Sequence, residues 1–88
     1  MIKPEPKIRT VILDVLKPFQ PVLSDFALFL AGLDNISKVD ISVVEMNEDT
    51  MSLKVTIDGV DIDFDKLRDV MLKQNAIIQS LDRVVVKK

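Results

Sequence analysis

Apolar residues along this chain switch between two spacings, and few folds are compatible with the order in which they switch. A spacing of two indicates a strand, because successive side chains of a strand point to opposite faces. A spacing of three or four indicates a helix that buries one side. These patterns predict strands at residues 7–16, 38–46, 51–57 and 76–88, the last one bulged or broken near Ser80, Asp82 and Arg83. They predict helices at residues 19–33, with Pro21 in the first turn and Gly32 at the end, and at residues 63–75.

The resulting order of elements is strand, helix, strand, strand, helix, strand. This is the order of ferredoxin-like domains, in which two right-handed βαβ units are combined. We therefore predict an α+β sandwich in which a four-stranded antiparallel sheet carries two helices on one face. The chain is expected to form one such domain over residues 1–88, with residues 1–6 as a flexible lead-in.

The first predicted strand is apolar on both of its faces. Val11, Leu13 and Val15 share the face that we expect the helices to cover, whereas Ile8 and Ile12 share the open face. Leaving apolar surface in water costs about 25 cal/mol per Å². A contiguous apolar patch on the open face would therefore favour a partner.

Apolar positions elsewhere extend this argument. Val44 is expected to join Ile12 on the open face, and Leu23 and Leu28 widen the apolar surface of the first helix. We therefore predict a homo-oligomer with closed symmetry. Its interface candidates are Ile8, Ile12, Val44, Leu23 and Leu28.

Four aspartates, Asp58, Asp61, Asp63 and Asp65, fall within eight positions of the stretch IDGVDIDFDKL. Carboxylate oxygens are the ligands that hard cations prefer, so these residues are weak candidates for a metal site. A calcium loop of the EF-hand kind that began at Asp61 would need glycine at its sixth position and glutamate at its twelfth. The chain has lysine and leucine there, so this loop type is excluded. A surface cation bound by a few of these carboxylates stays open as an alternative.

A structural interpretation accounts for most of the same stretch. Asp63 is predicted to cap the second helix, and Asp65 would lie in its first turn, where the helix dipole favours negative charge. Ile62 and Leu67 occupy the positions of a hydrophobic staple. Asp61 is then the aspartate without a structural role, and the structural interpretation is preferred over a metal site.

Residue types that support much of enzyme chemistry are missing. The sequence contains neither cysteine nor histidine, which excludes disulfides, thiolate chemistry and the usual zinc fingers, and removes the commonest general base. It contains no glycine-rich phosphate loop. Asp14 and Glu45 are the remaining candidates for a catalytic carboxylate pair, which requires matched geometry. We expect no cofactor.

Charge and hydropathy limit the partners. The formal net charge of −2 does not attract polyanions, and the four phenylalanines lie on or beside helices, away from the sheet face that would stack RNA bases. No apolar run approaches the roughly 20 residues of a membrane span, and the segment MIKPEPK has no secretory pattern. We expect a cytoplasmic protein that binds neither nucleic acid nor membrane.

Three phrases carry a resemblance to a known family. They are LDVLKP at residues 13–18, DISVVEMNEDT at 40–50 and KVTIDGVDIDFD at 54–65. Together they resemble the archaeal proteins grouped as domain of unknown function number two hundred and eleven, and the resemblance covers nearly the whole chain. It implies a ferredoxin-like fold, an archaeal source and an oligomeric state, and it implies no established activity or catalytic residue.

Two functional hypotheses follow. The leading one is a non-enzymatic, self-associating module, with a small ligand or divalent cation at a subunit boundary as a further partner. The alternative is a carboxylate-dependent or divalent-metal-dependent enzyme built on Asp14, Glu45 or the aspartates of residues 58–65.

Overall fold

A computed structural model describes residues 4–88. Its elements are β1 (Lys7–Pro18), α1 (Leu23–Ala31), β2 (Ile36–Met46), β3 (Thr50–Gly59), α2 (Phe64–Lys73) and β4 (Ile77–Lys87). The predicted order of strands and helices is confirmed. Part of the predicted lead-in, residues 1–3, lies outside the described residues, while residues 4–6 are exposed and have no regular secondary structure.

The four strands form one sheet in the order β2-β3-β1-β4, and all neighbouring strands are antiparallel. β1 and β3 are therefore central, and β2 and β4 are the edges. This is the ferredoxin-like α+β fold that the sequence predicts. Within residues 4–88, neither edge strand has a further strand beside it.

The core lies between the sheet and the helices. Val11, Leu13 and Val15 of β1 have no exposed surface, which confirms that the helices cover this face. The core partners from β3 and the two helices are Leu53, Val55, Ile57, Phe26, Leu30, Leu67 and Met71. The alternation of buried and half-buried residues along β1 shows the period of two directly.

Ile8 does not lie where the spacing predicts it. β1 pairs Ile8 with Val86 and Thr10 with Val85, so Arg9 is an extra residue in the ladder. A bulge of this kind interrupts the alternation of faces. Ile8 consequently packs against the core, and the open-face prediction for Ile8 is wrong.

The first helix begins later than predicted. Leu23 is its first residue and Val22, in an extended conformation, is its N-cap, so the prediction that Pro21 lies in the first turn is wrong. The Nζ of Lys17 donates hydrogen bonds to the carbonyl oxygens of Pro18 and Pro21, which holds this connection in a non-helical path. The helix ends as predicted at Gly32, whose N–H donates to the carbonyl of Leu28 at 3.1 Å.

The last strand is bulged as predicted. β4 pairs Arg83 with Ile12 and Leu81 with Leu13, which leaves Asp82 as an extra residue. A second shift leaves Gln79 without a counterpart on β1. The regular part of β4 therefore begins at Arg83.

The second helix begins as the sequence predicts. Asp63 is its N-cap, and the Asp63 carboxylate accepts a hydrogen bond from the Lys66 backbone N–H at 3.1 Å. Ile62 and Leu67 are both buried in the core, as a staple requires. Asp65 lies in the first turn and pairs with Arg68 at 2.5 Å.

Removing the cap should destabilise the fold. We expect Asp63→Ala to lower the free energy of unfolding by about 0.5 to 2 kcal/mol, because the Lys66 N–H loses its acceptor. Asp61→Ala is the matched control, since Asp61 is exposed and caps no helix, and it should change little. Urea denaturation of the three proteins measures both values, and a larger loss for Asp61→Ala would contradict the assignment.

Gly59 is required by a close backbone approach. It pairs with Ile36 across the β2–β3 ladder, and a Cβ at this position would overlap with the carbonyl oxygen of Asn35. That carbonyl also accepts a hydrogen bond from the Val60 N–H at 3.0 Å, so it is not free to move away. A side chain at residue 59 must therefore displace backbone atoms.

Alanine should lower the free energy of unfolding at Gly59 and be tolerated at Gly32. Gly59→Ala should lower the free energy of unfolding by about 1 to 3 kcal/mol, the usual cost of overpacking. Gly32→Ala is the control, because a Cβ there meets its nearest atoms at 3.5 Å and fits the space. Thermal and urea denaturation provide the comparison. Equal stability of the two variants would show that the strand end accommodates the methyl group.

Candidate functional site

A buried lysine lies where β1 meets the connection to α1. Lys17 has no exposed surface, and its Nζ is 2.8 Å from the Pro18 carbonyl oxygen and 5.6 Å from the centre of the Phe26 ring. Burial lowers the pKa of the Lys17 ammonium below its usual value. Through its hydrogen bonds to the Pro18 and Pro21 carbonyl oxygens, Lys17 anchors the connection from β1 to α1. Lys17 is not among the candidate residues predicted from the sequence, although its spacing from Val15 places it on the buried face.

A cavity lies at one end of the helical layer. It has a volume of about 570 Å³ and is bounded by the end of α1, the start of β2 and the start of α2. Its polar lining comes from Asp34, Asn35, Asp61, Asp63 and Lys66. Its apolar lining comes from Leu33, Ile36, Ile62, Leu67 and Val70. An apolar floor with a few polar groups, in this size range, is typical of small-ligand sites.

The four clustered aspartates are not brought to one point. The Asp58 carboxylate accepts a hydrogen bond from the Thr10 hydroxyl at 2.6 Å on the open face of the sheet. Asp63 is engaged in the helix cap and Asp65 in its pair with Arg68, while Asp61 is exposed beside the cavity. In the part of the chain that the structure describes, no three carboxylate, histidine or cysteine side chains are grouped so as to hold a metal ion. The cation alternative stays a prediction.

Asp14 and Glu45 are separated by a whole strand. Asp14 pairs with Lys54 of β3, and Glu45 of β2 pairs with Ser52 on the other edge of β3. Two strand spacings separate β1 from β2 by about 10 Å, and the two residues are also offset by two positions along the strands, so their backbones are more than about 10 Å apart. The pair therefore lacks the close geometry that shared proton transfer requires.

The open face of the sheet is more polar than the first strand alone indicates. Residues paired across β2, β3 and β1 form rows on this face. One row contains Lys38, Asp58 and Thr10, and another contains Ser42, Lys54 and Asp14. A shallow depression of about 240 Å³ on the sheet is lined by Leu13, Asp14, Val44, Lys54 and Asp82. The aliphatic side chains of this face are separated by charged and hydroxyl groups.

The predicted interface residues are spread over several surfaces. Ile12 is half-buried on the open face, where Thr56 and Arg83 flank it. Val44 is 67% exposed and Leu28 on α1 is 71% exposed. Leu23 and Ile8 are partly buried against the core, which leaves less of their surface for a partner.

The edge strands carry apolar groups that the sequence analysis did not single out. On β4, Ile77, Leu81, Val84 and Val86 are between 44% and 52% exposed. On β2, Val43 and Met46 are exposed in addition to Val44. The run VVVK near the chain end is typical of a strand, but the sequence does not reveal that this strand has one neighbour and thin helical cover.

The structure contains no helix within residues 4–88 that is long and apolar enough to span a membrane. Its architecture defines a ferredoxin-like α+β domain with two open sheet edges and a cavity beside the start of β2.

Comparison with known proteins places this domain in a family. The model of the DUF211 family, described as uncharacterised ArCR, matches residues 9–88, and the chain belongs to that family. One relative, the uncharacterised protein MJ0319 of Methanocaldococcus jannaschii, is 42% identical over 81 residues, which cover 92% of this chain and 84% of the relative. The resemblance found in the three sequence phrases is thereby confirmed.

The lowered pKa of Lys17 predicts a pH dependence of stability. Between the folded-state pKa and the usual value of 10.5, the unfolded chain binds more protons than the folded one. Stability from this group therefore rises as the pH increases through that window. We expect the free energy of unfolding of the native chain, minus that of Lys17→Met, to increase from pH 7 to pH 10.

Urea denaturation of both proteins at each pH measures this difference. Lys17→Met removes the ammonium group and keeps an unbranched side chain in the same space. Subtracting the variant cancels the other titrating groups that the two proteins share. A difference that stays constant or falls with increasing pH would contradict the effect of burial on this lysine.

Proposed function

We propose that this protein is a non-enzymatic, cytoplasmic module that associates with copies of itself. The observation that carries the proposal is the apolar exposure of the two edge strands. Among residues 4–88, seven of the thirteen exposed large hydrophobic side chains lie on β2 and β4. They are Val43, Val44, Met46, Ile77, Leu81, Val84 and Val86.

Edge strands combine this apolar surface with unpaired backbone groups. Each edge presents N–H and C=O groups on one side of the strand, and these groups are a template for another strand. Pairing them with a second chain satisfies the hydrogen bonds and covers the neighbouring side chains together. Because both effects stabilise the same contact, they favour self-association through a strand edge over self-association through the polar open face.

The non-enzymatic part of the proposal is supported by the arrangement of the carboxylates. A strand separates Asp14 from Glu45, and Asp58, Asp63 and Asp65 are each engaged in a different local contact. The alternative, a carboxylate-dependent or metal-dependent enzyme, would need these groups to converge around a substrate. The large cavity is better suited to holding a small ligand, and it lies beside the start of edge strand β2.

Sedimentation equilibrium at micromolar concentration tests self-association. We expect a mass that is a multiple of 9.9 kDa, because a monomer leaves the apolar edges in water. Dilution into the nanomolar range should reduce the mass, since association depends on concentration. A mass near 9.9 kDa throughout the micromolar range would contradict the proposal.

A further inference from the structure

We propose that β4 of one copy pairs with β2 of a second copy, antiparallel and in register. This inference rests on the proposed self-association and names the surface and the partner. In the sheet, β1 is antiparallel to both β3 and β4, and β3 is antiparallel to β2. β2 and β4 therefore run in opposite directions, so a second copy in the same orientation presents its β2 antiparallel to β4 and extends the sheet.

The rows of the sheet define which residues would meet at this junction. On the open face, Asp40 pairs with Thr56, Thr56 with Ile12, and Ile12 with Arg83. Continuing this row into a second copy places Asp40 of the second copy beside Arg83. Both side chains are exposed in the single chain, where they are at opposite ends of the row.

The helix-side rows match in the same register. One row of the sheet pairs Val84 with Val11, Val11 with Ile57, and Ile57 with Val39. Continuing this row into a second copy places its Val39 beside Val84. Cross-strand aliphatic pairs of this kind stabilise a sheet. This contact would cover exposed surface of Val84 on β4, and Val39 is already half-buried.

Other registers lose this complementarity. A slip of one residue would bring the apolar side of one strand beside the polar side of the other. A slip of two residues keeps the faces but places Arg83 beside Lys38 or Ser42. The first of these pairs two cations and the second leaves Arg83 without a carboxylate, so charge favours the in-register junction.

The same register would bring opposite charges together at the cavity. Beyond Val86, β4 ends at Lys87 and the chain continues to Lys88, toward the end of the sheet at which β2 begins. Asp34 and Asp61 line the cavity at that end. The basic end of one copy would thus approach the acidic rim of the cavity in the next, which would place this cavity at a subunit boundary.

The junction joins two different surfaces. Each copy has one β2 edge and one β4 edge, and a contact between unlike surfaces either closes into a ring or continues as a filament. We infer a closed assembly, which leaves no strand edge free for further pairing. The registers shifted at Gln79 and Asp82 confine the closest pairing to residues 83–86 of β4.

Charge reversal at the junction tests the proposal. We expect Asp40→Arg and Arg83→Asp each to weaken association about tenfold or more per contact, because each creates a pair of like charges. In one chain these residues are three strand spacings apart, about 14 Å, so neither change affects the monomer fold directly. The double variant carrying both reversals should regain the native mass in sedimentation equilibrium.

Mixing the two single variants gives a sharper version of the test. In an equimolar mixture, each junction can join an arginine to an aspartate, either as the native pair or as the reversed pair. The mixture should therefore assemble where each variant alone stays dissociated. Assembly of neither the mixture nor the double variant would overturn the β2–β4 junction.

Apolar variants separate this inference from self-association in general. Val84→Lys should dissociate the assembly, and Leu72→Lys, on the exposed side of α2, is the matched control that should leave it intact. A native chain that is monomeric contradicts the proposed function itself. A native oligomer that survives Val84→Lys but is dissociated by Leu28→Lys or Ile12→Lys keeps self-association and overturns the strand junction.

Discussion

The double pairing of β1 is the constraint on which the rest of the structure depends. β1 is hydrogen-bonded to β3 on one side and to β4 on the other, so it joins the middle and the end of the chain through one element. Its buried face supplies Val11, Leu13 and Val15 to the core and ends at Lys17, which fixes the path toward α1. The helices pack where this face is apolar. The cavity lies beyond that packed layer, where the ends of the helices and the start of β2 diverge.

The sequence was sufficient for features with local causes. The type and order of all six elements follow from apolar spacing, and the start of α2 follows from Asp63, whose cap involves a residue three positions away. The family assignment follows from three short contiguous segments, at residues 13–18, 40–50 and 54–65, and therefore also rests on local sequence. The bulge in β4 was also visible, because Ser80, Asp82 and Arg83 interrupt an aliphatic run.

Features that depend on distant partners were not predictable in the same way. The bulge at Arg9 reverses the face of Ile8, and it exists in relation to Val85 and Val86, more than 70 positions away. Pro21 is kept out of α1 by the buried Lys17, whose role requires the packing of Phe26 to be known. The candidate site changed for the same reason. Apolar residues of β2 and β4 are unremarkable in sequence and become exposed because of their places in the strand order.

The position of β4 after the other five elements has a consequence for synthesis on the ribosome. A nascent chain emerges from its N-terminus, so β1, α1, β2, β3 and α2 are available before the last strand exists. During that interval the central strand β1 has an open edge, and its hydrogen-bonding groups on that side face solvent or other chains. Native β4 must then compete with strands of neighbouring nascent chains for this edge. The sheet can be completed only once β4 has been synthesised, and until then β1 is open to mispairing.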